Sequence, residues 1–162
     1  MKTKSVILWF ILTSLFIAGC QPDEVCRQNT GVVAGIALRG LAVDTNDLAT
    51  EFTAWDSITV QGLNNDSVLY DNRKNISRVL VPLRIDTNVT AFTLNWHGEE
   101  DIVYFRHDNT RRFVSMACGC VVYHTIDSVW CKGTWIDSVK IINAAVETAE
   151  QDNIKVFTTI DL

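Results

Sequence analysis

Proline is scarce in this chain, and no low-complexity segment interrupts it. Only two of the 162 residues are prolines, and no stretch is repetitive. A long flexible or proline-rich linker between domains is therefore excluded. We predict only one short linker, residues 20–29, and a single domain over residues 30–162.

Clustered basic residues are also missing. The sequence has 14 Lys and Arg against 19 Asp and Glu, with a formal net charge of −5, and its longest basic cluster is Arg111-Arg112. Two of the basic residues, Lys2 and Lys4, lie in the N-terminal leader. Nucleic-acid binding needs several Lys and Arg placed to neutralise phosphates, so we predict no nucleic-acid partner.

No apolar run is long enough to span a bilayer. The longest, Val6–Ala18, has 13 residues, whereas a spanning helix needs about 20. A basic start, a short apolar centre and small residues at its end describe a signal peptide over residues 1–19. Ile17-Ala18-Gly19-Cys20 resembles the bacterial lipobox, whose cysteine is diacylated and becomes the first mature residue. We predict lipidation of Cys20; the alternatives are an ordinary leader with a chance cysteine, or an uncleaved anchor.

The expected location follows from Cys20 and the residues after it. Two or more acyl chains hold a protein stably at a membrane. Gln21 is not the aspartate that favours inner-membrane retention in enteric lipoproteins. Residues 21–24, Gln-Pro-Asp-Glu, resemble the acidic tract of some Bacteroidetes surface lipoproteins. We expect anchoring in the outer membrane, on its periplasmic face or at the cell surface.

The sequence lacks a recognisable catalytic or metal-binding motif. His97, His107 and His124 occur without a G-x-S-x-G turn or an H-E-x-x-H pair. Glu99-Glu100-Asp101 does not resemble a calcium-binding loop, and no pair of acids stands out as that of a glycosidase. We therefore predict a protein without enzymatic activity, cofactor or metal.

Four cysteines remain after the lipidation site: Cys26, Cys118, Cys120 and Cys131. An exported compartment permits disulfides, and four cysteines allow three pairings. A turn near Thr125-Ile126 would place Cys120 opposite Cys131 on neighbouring strands, which leaves Cys26 for Cys118. The swapped pairing, Cys26 with Cys120 and Cys118 with Cys131, stays open.

Two other roles for these cysteines have less support. Cys118-Gly119-Cys120 has C-x-C spacing rather than the C-x-x-C of thioredoxin-like redox sites. A zinc site that also used His124 would lack the usual C-x₂₋₄-C spacing. Structural disulfides are the favoured interpretation.

Apolar residues recur with a period of two, which indicates β-strands. In Thr90–Trp96 the side chains of Phe92, Leu94 and Trp96 share one face. In 113–124 the face that includes Met116 is apolar throughout, and we expect that face in the core. Other predicted strands are 32–38, 57–62, 67–70, 78–83, 102–107, 128–131, 134–143 and 154–160.

About ten short strands between Asn, Asp and Gly turns predict an all-β fold. We expect an antiparallel β-sandwich of Ig-like type, with a small barrel as the alternative. Pro82 marks an edge strand or a bulge. Only 44–54 and 144–151 could hold a helical turn or two.

Residues 130–135, Trp-Cys-Lys-Gly-Thr-Trp, predict a tight hairpin around Lys132-Gly133 with Trp130 opposite Trp135. A cross-strand aromatic pair that stabilises the hairpin is the favoured interpretation. The alternative is an exposed platform that stacks on a sugar or a partner, with Trp55 as a further candidate.

An Asp-Ser-apolar triplet occurs four times and places serines at Ser57, Ser67, Ser128 and Ser138. Asp and Ser commonly end turns, and β-branched residues commonly begin strands. The triplet also resembles the O-glycosylation sequon of exported Bacteroidetes proteins, so these serines are candidate glycosylation sites.

Several segments occur in a distinctive order: the lipobox, the early Cys26, residues 59–70 (TVQGLNNDSVLY) and above all 114–119 (VSMACG). In this order they resemble a group of small uncharacterised Bacteroidetes lipoproteins, a domain family of unknown function. The resemblance implies an outer-membrane lipoprotein, a Cys26–Cys118 disulfide and, from relatives encoded beside one, an outer-membrane β-barrel partner. It does not include Cys120 or Cys131.

These observations favour a lipid-anchored interaction module without enzymatic activity, an accessory subunit of an outer-membrane envelope complex. One alternative is a cell-surface carbohydrate-binding protein that uses Trp130 and Trp135. Another is an envelope thiol enzyme that uses Cys118 and Cys120.

Overall fold

The computed structural model describes residues 25–43 and 49–161. The predicted signal peptide, Cys20 and residues 21–24 lie outside the described residues. Within the two described ranges, no helix has the length and apolarity to cross a bilayer. The strands there are β1 (Ala34–Val43), β2 (Ala49–Phe52), β3 (Ile58–Gly62), β4 (Val68–Arg73), β5 (Arg78–Val81), β6 (Val89–Trp96), β7 (Glu99–Ser115), β8 (Gly119–Lys132), β9 (Ser138–Ile141), β10 (Ala145–Val146) and β11 (Asp152–Asp161).

The strands form two sheets that share one hydrophobic core. The larger sheet has the order β10-β8-β7-β6-β3-β4, and the smaller has the order β2-β1-β11-β9, with β5 also paired to β1. The pairs are antiparallel apart from β1 with β11, which join opposite ends of the described chain. The predicted all-β, antiparallel sandwich is confirmed.

Alternation of side chains along the strands builds the core. In β6 the buried residues are Thr90, Phe92 and Leu94, and in β7 they include Val103 and Phe105. The rings of Phe92 and Phe105 meet edge to face, with centroids 6.1 Å apart. Burying each large apolar side chain stabilises the fold by about 1.5–3 kcal/mol.

Strands β7 and β8 form a hairpin that is longer than its neighbours. Their register runs from Ile102 opposite Lys132 to Ser115 opposite Gly119. Strand β6 accompanies β7 only as far as the pair Val89–Arg106. Residues 111–122, which we call the hairpin tip, therefore extend beyond β6.

The predicted core face in 113–124 is wrong. The chain reverses direction between Ser115 and Gly119, so the residues of this run lie on two strands and a turn. Met116 is in the turn and is 90 % exposed. The apolar residues kept a period of two through the turn in sequence. The residues on either side of the turn belong to different strands, so they do not share one pleated face.

The predicted turn at Thr125-Ile126 and the hairpin at Lys132-Gly133 are also wrong. Strand β8 runs unbroken from Gly119 to Lys132. After it the chain crosses to the other sheet, where β9 pairs with β11. The irregularity near the predicted turn is a β-bulge: Arg106 pairs with Ser128 and His107 with Ile126, which leaves Asp127 as the extra residue.

Two further local predictions concern the helical turns and the position of Pro82. Of the two segments predicted to allow helical turns, residues 44–48 lie outside the described residues, 49–54 contain β2, and 144–151 contain β10. Strand β5 ends at Val81, immediately before Pro82, and among the described strands it pairs with β1 alone. This single pairing confirms the edge position predicted from Pro82. Proline suits an edge strand because it has no N–H to donate to a ladder.

Candidate functional site

The first described segment is bonded to the turn of the β7–β8 hairpin. Cys26 and Cys118 form a disulfide with a Cα–Cα distance of 4.7 Å. Nearby, the side-chain amide of Asn29 donates to the carbonyl oxygen of Thr148 at 2.8 Å. The pairing implied by the family resemblance is thus present, and it attaches the residues that follow Cys20 to the hairpin tip.

The predicted Cys120–Cys131 disulfide is wrong, since both cysteines are free. They lie on the same strand, eleven residues apart, which corresponds to about 35 Å in a β-strand. A disulfide requires Cα atoms within about 7 Å. Cys120 is exposed at the tip. Cys131 is half-buried, and burial, together with the charge of Asp101, raises the pKa of its thiol.

The predicted Trp130–Trp135 pair does not form. Trp135 is 8 % exposed, and its ring packs with Trp55 and Trp96 at centroid distances of 5.4 and 5.7 Å. Trp55 is also buried. These two residues belong to the core, so the interpretation of Trp135 and Trp55 as surface binding residues is wrong.

A buried carboxylate, Asp101, determines where Trp135 lies. Its oxygens accept hydrogen bonds from the backbone N–H groups of Thr134 at 2.6 Å, Trp135 at 3.1 Å and Ile136 at 2.7 Å. A Cβ at Gly133 would overlap this carboxylate. Asp101 therefore holds the β8–β9 connection against the sheet and turns Trp135 inward.

Trp130 has a different partner, Tyr104, directly across the β7–β8 ladder. The two rings stack with centroids 5.1 Å apart and planes inclined by 1°. Because Val103 and Phe105 face the core, Tyr104 and Trp130 face outward. Trp130 is 38 % exposed. The pair forms a flat aromatic surface on the outer face of the larger sheet.

A cleft of about 600 Å³ lies beside this pair, and Tyr104 forms part of its wall. Strand β3 ends at Gly62, opposite Phe92, and the first residues of β6 extend beyond it and line the cleft. Asn64, Arg84 and Thr90 are among the polar residues of its lining. Clefts of this size with a few convergent polar groups are common ligand sites.

A buried polar network lies behind the cleft. The amide oxygen of Asn109 accepts hydrogen bonds from Nδ1 of His107 at 2.8 Å and of His124 at 2.7 Å. The amide nitrogen of Asn109 donates to the Thr87 carbonyl oxygen at 2.9 Å, which orients the amide. The Thr90 hydroxyl then donates to Nε2 of His107 at 2.8 Å.

Burial favours the neutral form of both imidazoles in this network. Burial lowers the pKa of His107, and burial together with the charge of His107 lowers the pKa of His124 to about 4. The Thr90 oxygen also accepts the backbone N–H of Arg84 at 2.9 Å, so the network ties the β5–β6 connection to the hairpin. The hydrogen-bond geometry of the network gives these histidines a structural role. Among the described residues, no three His, Cys, Asp or Glu side chains are grouped as metal ligands.

The four candidate glycosylation serines lie at two kinds of position. Ser67 and Ser138 are exposed beside or at the start of β4 and β9, and Ser57 precedes β3. Ser128 follows the bulge residue Asp127 inside β8. The Asp-Ser-apolar triplets thus mark strand starts and a bulge, and glycosylation stays a prediction.

Sequence reasoning missed Tyr104 and the His–Asn network. Tyr104 could have been found, because it lies in a predicted strand on the face opposite Val103 and Phe105. The network had no local signal, since its members come from different strands and the bulge at Asp127 sets their register.

The fold and these surfaces define a small β-sandwich domain with an exposed aromatic pair beside a cleft. The chain belongs to DUF6452, a family of unknown function whose model matches residues 57–158. The matched range contains Tyr104, Trp130 and Cys118 but not Cys26. Comparison with curated proteins and with solved structures gives no match.

Proposed function

We propose that this protein is a lipid-anchored interaction module without enzymatic activity, an accessory subunit of an outer-membrane envelope complex. Its binding surface is the outer face of the larger sheet around Tyr104 and Trp130. The exposed stack of these two rings carries the proposal.

Several properties of the pair suit a protein interface. Tyr and Trp supply large contact areas and are enriched where proteins bind one another. Tyr104 and Trp130 lie on adjacent paired strands of the sheet, so they lose little conformational freedom on binding. The cleft next to Tyr104 offers a depression for a partner side chain, with Arg84 at its wall.

The anchor and the partner rest on sequence features. The leader and the lipobox support a lipid on Cys20, and the resemblance to Bacteroidetes lipoproteins supports an outer-membrane location. A β-barrel protein of that membrane is the proposed partner, because a tethered domain meets such proteins at high local concentration.

Photo-crosslinking in intact envelopes tests this function. We would replace Trp130 with a photoreactive phenylalanine analogue and use the same substitution at Lys140 as the matched control. Lys140 is exposed on the outer face of the smaller sheet. A specific crosslinked envelope protein at 130 but not at 140 is expected. No adduct at 130 in the native envelope would overturn the proposal.

Carbohydrate binding is the second candidate, and the same aromatic pair favours it. Planar aromatic rings stack on sugar faces, and Asn64 and Arg84 line the neighbouring cleft. A glycan array with the full-length protein and with Trp130→Ala tests this function. Glycan binding that the substitution abolishes would support it, and no binding by the unmutated protein would rule it out.

A further inference from the structure

The hairpin tip carries apolar side chains where the fold has no need of them. Phe113 is 64 % exposed and Met116 is 90 % exposed, and Val25 beside the disulfide is 77 % exposed. Exposed apolar residues scattered singly are ordinary on protein surfaces, whereas grouped ones mark interaction sites. Here the Cys26–Cys118 bond brings Val25 to the turn that contains Met116.

Phe113 continues the inward face of the hairpin. His107 and Asn109 lie on the same face of β7, two residues apart, and Phe113 opposite Cys120 extends that face into the tip. The buried part of this face ends near His124. Strand β6 does not reach the tip, so Phe113 and Cys120 remain uncovered.

Exposed basic residues lie close in sequence to these apolar side chains. Arg27, Arg111 and Arg112 are all exposed, and the guanidinium of Arg112 lies 4.9 Å from the centre of the Tyr123 ring. Arginine and aromatic side chains next to apolar ones are typical of surfaces that lie in the headgroup region of a membrane.

The chain between the anchor and the tip is short. Six peptide units join Cys20 to Cys26, and fully extended they reach at most about 20 Å. The disulfide transfers this limit to Cys118 and the hairpin turn. A lipid on Cys20 therefore keeps the tip within reach of the bilayer surface, where even weak insertion becomes populated because it is intramolecular.

We infer that Phe113 and Met116 of the hairpin tip, together with Val25 beside the disulfide, insert into the lipid headgroup region and so fix the orientation of the tethered domain. The occupant of this surface is the bilayer that holds the lipid anchor. The inference rests on the lipidation of Cys20 in the proposed function. It depends on the apolar side chains rather than on charge, since Asp23 and Glu24 lie in the same short tether.

In this orientation the β7–β8 hairpin sets the distance between the membrane and the aromatic pair. The tip touches the membrane, and the pair Tyr104–Trp130 is held above it along the same two strands, nine or more residues from the turn. The aromatic surface would thus be presented at a defined height to a partner in the same membrane.

Spin-label accessibility in nanodiscs tests the inference. The full-length lipidated protein would be reconstituted in neutral phosphatidylcholine nanodiscs, with a nitroxide on Cys120 in the Cys131→Ser background. The matched control carries the nitroxide at Lys132→Cys, at the other end of β8, with Cys120 and Cys131 replaced by serine. On reconstitution, the label at 120 should gain collisions with oxygen and lose collisions with a water-soluble nickel chelate, while the label at 132 does not change.

A variant with Phe113→Ser and Met116→Ser separates insertion by the protein from insertion by the label. Both side chains are exposed, so the thermal unfolding midpoint should be unchanged, whereas the label at 120 should return to the accessibility of the control. Mass spectrometry reports the lipid on Cys20 independently. A lipidated protein whose label at 120 stays open to the nickel chelate would overturn the tip proposal alone. A protein without lipid on Cys20 would overturn the anchor and the tip proposal together.

Discussion

Cys26 and Cys118 are joined across 92 residues of sequence, so one bond holds the start of the described chain against the end of its longest hairpin. Closing a loop of this length removes much conformational freedom from the unfolded chain. Cys26→Ser should therefore lower the free energy of unfolding by roughly 2–5 kcal/mol. Urea unfolding measures the loss, and Cys120→Ser is the control because Cys120 is free. Equal stability of the two variants would contradict the disulfide.

The two free thiols should differ in reactivity. Cys120 is exposed, whereas burial and Asp101 raise the pKa of Cys131, and the thiolate is the reactive form. Alkylation of the protein in detergent solution, with no bilayer and no reductant, should modify Cys120 rapidly, Cys131 slowly, and both fully after denaturation. Peptide mass spectrometry assigns the sites. Modification of Cys26 or Cys118 under these conditions would count against the described pairing.

Asp101 should contribute strongly to stability. Asp101→Asn replaces one carboxylate oxygen by an NH₂ group that faces backbone donors, and leaves at least one of the N–H groups of Thr134, Trp135 and Ile136 without an acceptor. The cost of such a buried loss is about 1–3 kcal/mol. Asp108→Asn, on the same strand but exposed, should stay within about 0.5 kcal/mol of the unmutated protein. Urea unfolding compares the two.

Trp130, which faces outward, and Trp135, which lies in the core, should respond differently to truncation. Trp135→Ala empties a position in the core cluster with Trp55 and Trp96 and should cost about 3–5 kcal/mol. Trp130→Ala removes one stacked ring from the surface and should cost about 0.5–1.5 kcal/mol. Thermal or urea unfolding of both variants gives the comparison, and a larger loss for Trp130→Ala would reverse the assignment.

Stability should fall in mild acid because of His107 and His124. Their folded-state pKa values are lowered, that of His124 to about 4, below the value of about 6.5 expected in the unfolded chain. The unfolded state then binds more protons, so this contribution is fully present above about pH 6.5 and is lost as the pH falls toward 4. Urea midpoints across this range measure the loss, and NMR titration of His124 should give a midpoint near 4. His124→Gln should flatten the dependence between pH 6.5 and 4.

Local pattern was a good guide where a strand depends on its own side chains. The alternation of Phe92, Leu94 and Trp96 predicted a strand that lies in β6, and the segment 102–107 predicted one that lies in β7, because a strand pleat repeats every two residues. The Asp-Ser-apolar triplets marked strand starts for the same local reason. At Asp127 the same signal marked a bulge inside β8 rather than a turn.

Pattern failed where position depends on distant partners. Thr125-Ile126 had turn-like neighbours, yet thirteen paired positions with β7 keep β8 continuous through them. That continuity separates Cys120 from Cys131. The sequence predicted Trp135 as the partner of Trp130. In the structure Asp101, more than thirty residues earlier, binds the backbone at Trp135 and turns this residue inward.

The sequence by itself determined the all-β class and the acidic character, since each depends on composition or on neighbouring residues, whereas the leader and the lipid on Cys20 stay predictions. Only the tertiary structure decided which cysteines bond, which tryptophan is exposed, and which histidines meet. Those outcomes depend on strand register, and register is set by contacts between segments far apart in the chain.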